Sequence, residues 1–376
     1  MSQFAKYLIL ILVGFFLAEM TLRLGGLYNP SLPIRWSYIF SKIMNRKINY
    51  DDLESNYRFQ LQKPVPDYNK LKNYSFAQLS VPNFEYGIGL IPNCKCHDIL
   101  IHENKLVWAV EYNVDSLGRR QTPDSINKKA EKFITFYGGS RTFGKGVSDA
   151  ETLPNQFQKL VSDYTVYNYG VSGAGPNIFL KKHQDEIFKR EIEQKKGLFL
   201  YLYDYGHASR ALGSKESTWS YGTPYYDLGK NDELIYLDNF WSGQLLRSAF
   251  FYFGSKMAIY QNTIMKSNLF SEAELNADEL KVLNKIFLKM KEEAEKNINT
   301  KFAVVFFDVF SDPTVKKIWQ ALQQSGVEVL VFNQHQLPPN DNDHYFIYDG
   351  HPNSRTYKIE AALLVKELLR RKLVTK

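Results

Sequence analysis

The chain has 376 residues, long for one domain, with 44% hydrophobic, 15% aromatic and 23% charged residues; this excludes a largely disordered or collagen-like chain and leaves material for a sizeable core. The formal net charge of +7 is spread among many acids. No zinc-knuckle spacing, RNA-binding aromatic signature or basic-region helix accompanies it, so nucleic acid is not an expected partner. Cys94 and Cys96 are too few for structural zinc and awkwardly close for a disulfide, and read as unpaired thiols.

Residues 1–25 carry an unbroken apolar run from Tyr7 to Ala18 behind Lys6. A spanning helix needs about 20 apolar residues, which the run reaches by continuing to Leu24 with Arg23 snorkelling. No small-x-small cleavage site follows, so the expectation is an uncleaved signal anchor that makes the membrane a partner. Its flanking charges leave the orientation undecided.

Residues 26–130 hold turn signals and short alternating pieces such as Leu106 to Asn113, and read as a strand-and-loop lead-in. From residue 131 onward, apolar runs alternate with amphipathic segments, the pattern of a parallel sheet covered on both faces. Strands are expected at 133–137, 165–169, 198–203, 302–307 and 327–332. Helices are expected at 153–161, 177–193, 273–297, 312–324 and 354–371. The stretch 206–270 interrupts this rhythm with Trp219, Tyr221, Tyr225, Tyr226, Trp241 and Phe250. It reads as an aromatic insertion, packing more than lining a cleft.

Four loops that could carry chemistry fall at strand-to-helix junctions, on one edge of the expected sheet. The first is Gly138-Gly139-Ser140-Arg141-Thr142-Phe143-Gly144-Lys145-Gly146. It matches most of a phosphate loop, but Gly146 stands where magnesium needs a hydroxyl. The alternative makes Ser140 a nucleophile on a tight turn, distinct from the G-x-S-x-G elbow because residue 142 is Thr. The second loop runs Asn168 to Gly175, the third Asp204 to Arg210 with His207, and the last is Asp349-Gly350-His351-Pro352-Asn353.

Gly138 to Gly144, Asn168 to Gly173 and Asp349 to Asn353 resemble the first, second and last sequence blocks of SGNH/GDSL hydrolases, and the likeness covers Lys132 to the end. The resemblance implies a three-layer α/β/α, flavodoxin-like fold with no metal and no organic cofactor. It implies Ser140 as nucleophile, His351 as base and Asp349 as the acid that orients it. The oxyanion would meet the amides of Ser140 and Gly173, with His207 as third donor where the family has Asn. Gly139 replaces the family's Asp, and Asp349 and His351 are closer than its Asp-x-x-His spacing.

The segment Val110 to Arg120 is similar to what precedes the catalytic domain in bacterial, membrane-anchored members, which implies a periplasmic or otherwise extracytoplasmic catalytic domain. The implied activity is that of an esterase or deacetylase acting on an O-acylated envelope glycan or lipid. A polysaccharide O-acyltransferase is the alternative, and a non-catalytic glycan-binding protein on the same fold is a third.

Overall fold

The computed structural model describes residues 3–24, 80–81, 86–102, 105–126, 130–267, 275–298, 300–307, 312–333, 335–341, 343–346 and 349–375. Most of the expected lead-in, 25–79, therefore lies outside the described residues. The chain begins with helix α1 (Gln3–Leu24). Strands β1 (Lys95–His102) and β2 (Lys105–Asn113) then form an antiparallel hairpin. Cys94, before β1, is disulfide-bonded, which corrects the expectation of unpaired thiols.

The expected spanning segment is also corrected: among the described residues no helix is long and apolar enough to cross a membrane. From Tyr7 to Ala18 the run measures about 18 Å at a helical rise, against about 30 Å of hydrocarbon. The turn beyond it is committed to protein. Glu19 accepts the Ala258 and Ile259 amides at 2.8 and 2.9 Å, and Arg23 donates to the Lys256 carbonyl at 3.0 Å.

The α/β part follows in chain order. It starts with β3 (Lys132–Gly138), α2 (Leu153–Gln158), β4 (Tyr164–Asn168), α3 (Pro176–Gln184), β5 (Lys196–Tyr203) and α4 (His207–Leu212). The insertion contributes the hairpin β6 (Pro224–Leu228) and β7 (Leu234–Asn239), then α5 (Leu245–Gly254) and α6 (Ala258–Asn262). The chain closes with α7 (Ala277–Ile298), β8 (Lys301–Phe307), α8 (Pro313–Gln324), β9 (Glu328–Phe332) and α9 (Ser354–Arg370). The single helix expected over 177–193 is broken, because Glu186 adopts φ 55° and a short second helix, Ile187–Glu191, starts after it.

The five strands pair in the order β9-β8-β5-β3-β4, all parallel. This is the doubly wound order in which the chain reverses beside its first strand, so a crevice opens at the carboxyl ends of β3 and β5. Alternation along each strand feeds two cores. Phe133, Tyr137, Phe199 and Tyr201 face one side with residues of α3 and α7. Ile134, Phe136, Leu198 and Leu200 face the other with residues of α2 and α9. The result is three layers.

The insertion has a small core of its own in Tyr221, Tyr225, Phe240, Phe251 and Tyr260. Most of its aromatics are therefore packing. Trp219 and Phe250, by contrast, are exposed.

Candidate active site

The nucleophile turn is set by what β3 runs into. Gly138 holds φ 144°, and a Cβ there would lie 2.3 Å from Thr142 Oγ1, so a side chain is not tolerated as the chain bends into the helical turn Ser140–Phe143. The next loop must come equally close. A Cβ on Gly170 would lie 2.3 Å from the Phe143 amide nitrogen. Val171 donates to the Gly138 carbonyl at 3.1 Å, which carries the pairing of β3 and β4 past their ends.

The last loop brings Asp349 and His351 to the same edge. Phe346 donates to the His351 carbonyl at 2.9 Å, and Asn353 caps α9 by accepting the Arg355 and Thr356 amides at 3.0 and 3.2 Å. Ser140 Oγ lies 2.7 Å from His351 Nε2, and His351 Nδ1 lies 2.6 Å from Asp349 Oδ2. A carboxylate only accepts, so Nδ1 carries the proton and Nε2 is left to accept from the serine. That is the relation of nucleophile, base and orienting acid.

Asp349 has a second partner. Lys145 Nζ donates to its other oxygen at 3.0 Å and stands 5.5 Å over the Trp108 ring. Burial works to raise the Asp349 pKa, yet the His351 bond and charge, joined by Lys145, hold the carboxyl below its ordinary range. Trp108 packs edge-on against Phe346 of the acid loop with centroids 5.0 Å apart. The lead-in hairpin thus supports the acid side of the site: Trp108 and Tyr112 both donate to Asp98, and the Tyr112 hydroxyl accepts the Gly146 amide at 2.8 Å.

Two buried arginines brace the nucleophile turn from below. Arg120 pairs with Asp149 at 2.9 Å and donates to the carbonyls of Phe143, Gly144 and Val147. Arg141 forms an ion pair with Glu360 of α9, while Tyr357 of the same helix donates to the Arg141 carbonyl at 2.9 Å. Burial pushes Glu360 up and disfavours charge on Arg141, but Glu360 overrides this at Arg141 and raises its pKa further. None of Lys145, Arg120, Arg141 or Glu360 was singled out by the sequence reasoning. The only local signal is Gly144-Lys145, which the sequence pattern presents as part of a phosphate loop.

That phosphate-loop alternative fails on geometry. The amides of Gly144 and Lys145 donate to the Ser140 carbonyl at 2.9 and 3.1 Å, and the lysine ammonium is spent on Asp349. His207 is the expected third oxyanion donor. It is buried, and its Nδ1 accepts the Asp204 amide at 3.2 Å, which puts the proton on Nε2. That Nε2 has no hydrogen-bond partner and no exposure to solvent, and it lies 2.7 Å from where a Gly139 Cβ would be. Burial, then the charge of Arg210, keep the ring neutral by pulling its pKa well below the usual value. His207 Nε2 thus fills the space that a side chain at Gly139, next to the nucleophile, would occupy.

Trp219 of the insertion stands at the mouth, 54% exposed, its indole nitrogen 3.4 Å from where a Cβ of Gly173 would be. Exposed Trp219 and Tyr205 thus belong to segments that begin at the crevice edge.

No family model matches the chain, and no curated protein matches it in sequence. Among solved structures it is similar to a member of the lipolytic G-D-S-L family from Veillonella parvula, at 12% identity and TM-score 0.36, over 64% of this chain and 99% of that one. A lipase/acylhydrolase from Enterococcus faecalis is similar at 12% identity and TM-score 0.35, over 64% and 96%. An acetylxylan esterase from Geobacillus stearothermophilus is similar at 9% identity and TM-score 0.34, over 64% and 94%.

Proposed function

We propose that this chain is a serine ester hydrolase of the SGNH/GDSL type. The observation that carries the proposal is the continuous relay from Ser140 Oγ to His351 Nε2 at 2.7 Å and from His351 Nδ1 to Asp349 at 2.6 Å. His351 takes the serine proton as Oγ bonds to the ester carbonyl carbon. The ester C–O bond then breaks, and His351 returns the proton to the leaving alcohol, leaving an acyl-serine. Water repeats the sequence and frees the acid.

The oxyanion is assigned to the amides of Ser140 and Gly173, on the loops that leave the paired strands β3 and β4. Each such donor is worth about 100-fold or more in rate. The proposed substrate is an O-acylated glycan or glycolipid. It is supported by Trp219, an exposed aromatic side chain next to Gly173. A sugar hydroxyl in place of water would make the same acyl-serine a transferase.

Membrane attachment through α1, with the catalytic domain extracytoplasmic, completes the proposal. The exposed apolar side chains of α1 and the disulfide at Cys94 support it, since disulfides persist in oxidising compartments. Replacing Ser140 by Ala should lower turnover of a short-chain aryl ester by about 10⁴-fold or more. Undiminished turnover would refute the assignment. Incubation with an acylated donor and an acceptor glycan, with free acid and acylated sugar measured together, separates hydrolysis from transfer.

A further inference from the structure

Helix α5 is apolar on both of its faces. Inward it buries Ser248, Phe251 and Tyr252. Outward, Leu246 is 87% and Phe250 54% exposed, one turn apart, with Leu245 beside them and Met257 just past the helix end. A helix face of this kind in water marks a contact surface.

Its position says what covers it. The loop leaving α5, Ser255 to Met257, and the start of α6 are the site where α1 docks through Glu19 and Arg23. On α1, Leu10, Ile11, Leu12, Phe16 and Leu17 are each more than half exposed. Two exposed apolar surfaces, one on α1 and one on the insertion, thus meet at the Glu19–Arg23 clamp. The charged groups facing that junction include Lys256, whose ammonium lies 5.1 Å over the Tyr252 ring, and Arg23.

We propose that the insertion is a second membrane contact: the outward face of α5 lies in the bilayer interface beside α1, and the Glu19–Arg23 clamp fixes the two together. This rests on the membrane attachment proposed above. A helix whose apolar run is too short to cross lipid can still bury its apolar side chains in it, and such interfacial attachment becomes stable when a second apolar element shares the load. The clamp would hold the catalytic crevice at a set height and tilt over the lipid surface. An acylated glycan borne on a membrane lipid is then a better fit than a freely diffusing one.

The test uses the full chain with a nitroxide on a single introduced cysteine, Cys94 being disulfide-bonded. Leu246→Cys reports on the insertion, Leu12→Cys on α1, and Ser162→Cys, in an exposed loop before β4, on water. On adding vesicles of phosphatidylcholine and phosphatidylglycerol, the labels at 246 and 12 should both lose collisions with a water-soluble nickel complex and gain them with oxygen. The label at 162 should not change. Adding Glu19→Ala should return position 246 to water while position 12 stays in lipid.

If position 12 enters lipid and position 246 does not, the second contact is wrong and the attachment through α1 stands. If neither enters lipid, the attachment itself is wrong and this inference falls with it. Shielding of position 246 before vesicles are added would mean that a second copy covers α5, which also overturns the inference. No effect of Glu19→Ala would refute the clamp.

Discussion

Asp349 uses both oxygens, one on His351 and the other on Lys145. The lysine is a positioning residue, since it touches the acid and not the serine. Replacing Lys145 by Met removes one of the charges that hold the Asp349 carboxyl below its usual range, so that carboxyl should titrate higher. The acidic limb of the rate profile should then move to higher pH, while KM for a small ester changes little. An unmoved limb with an unchanged maximum would show that Lys145 has no part in the relay.

Ser140, Asp349 and His351 were legible because each lies in a loop that follows an expected strand or opens an expected helix. Lys145 was not, because its partner is 204 positions away and nothing local signals that contact. His207 was legible only in part, for a related reason. Its place at the end of β5 was legible, but the direction of its ring depends on the Asp204 amide and on the empty volume at Gly139.

Between elements, the Arg141–Glu360 pair ties the nucleophile turn to α9, the helix whose first turn follows His351. It sets the base against the serine through the protein interior. Replacing Arg141 by Ala leaves Glu360 buried without its partner, which typically costs about 3–5 kcal/mol. Urea unfolding should show that loss, and the Arg141→Ala, Glu360→Ala double variant should recover part of it. A fully additive double variant would mean the two groups do not support each other.

The apolar periods of β3, β4, β5, β8 and β9 made the sheet readable, and observed bounds lie within two residues of the expected ones. The break at Glu186 was not readable, because no glycine or proline marks that left-handed residue. The alternation in β2 was legible too. What Trp108 meets was not, since Phe346 comes from a loop far along the chain.

For the whole molecule, two buried neutral histidines make folding sensitive to acid. His183 sits among Tyr137, Phe188 and Phe199, and burial pulls its pKa from 6.5 to about 3. Between those values the unfolded chain binds a proton that the folded chain refuses, so stability rises with pH and is lost on acidification. The slope is at most about 1.4 kcal/mol per pH unit for each such group. His207 acts in the same direction. The urea midpoint should therefore fall steadily as pH drops below about 6.5, and His183→Phe should flatten that fall. A midpoint independent of pH through this window would contradict the neutral, buried assignment.

The three-layer order, the crevice beside β3 and the convergence of three distant loops all serve one claim, that Ser140 is an activated nucleophile. A fluorophosphonate reacts only with such a serine, so intact-mass analysis of the labelled full chain tests that claim most directly. The account predicts one adduct, mapped to Ser140, absent in Ser140→Ala and strongly slowed in His351→Gln. No adduct on the native chain, or the same adduct on the Ser140→Ala variant, would contradict it.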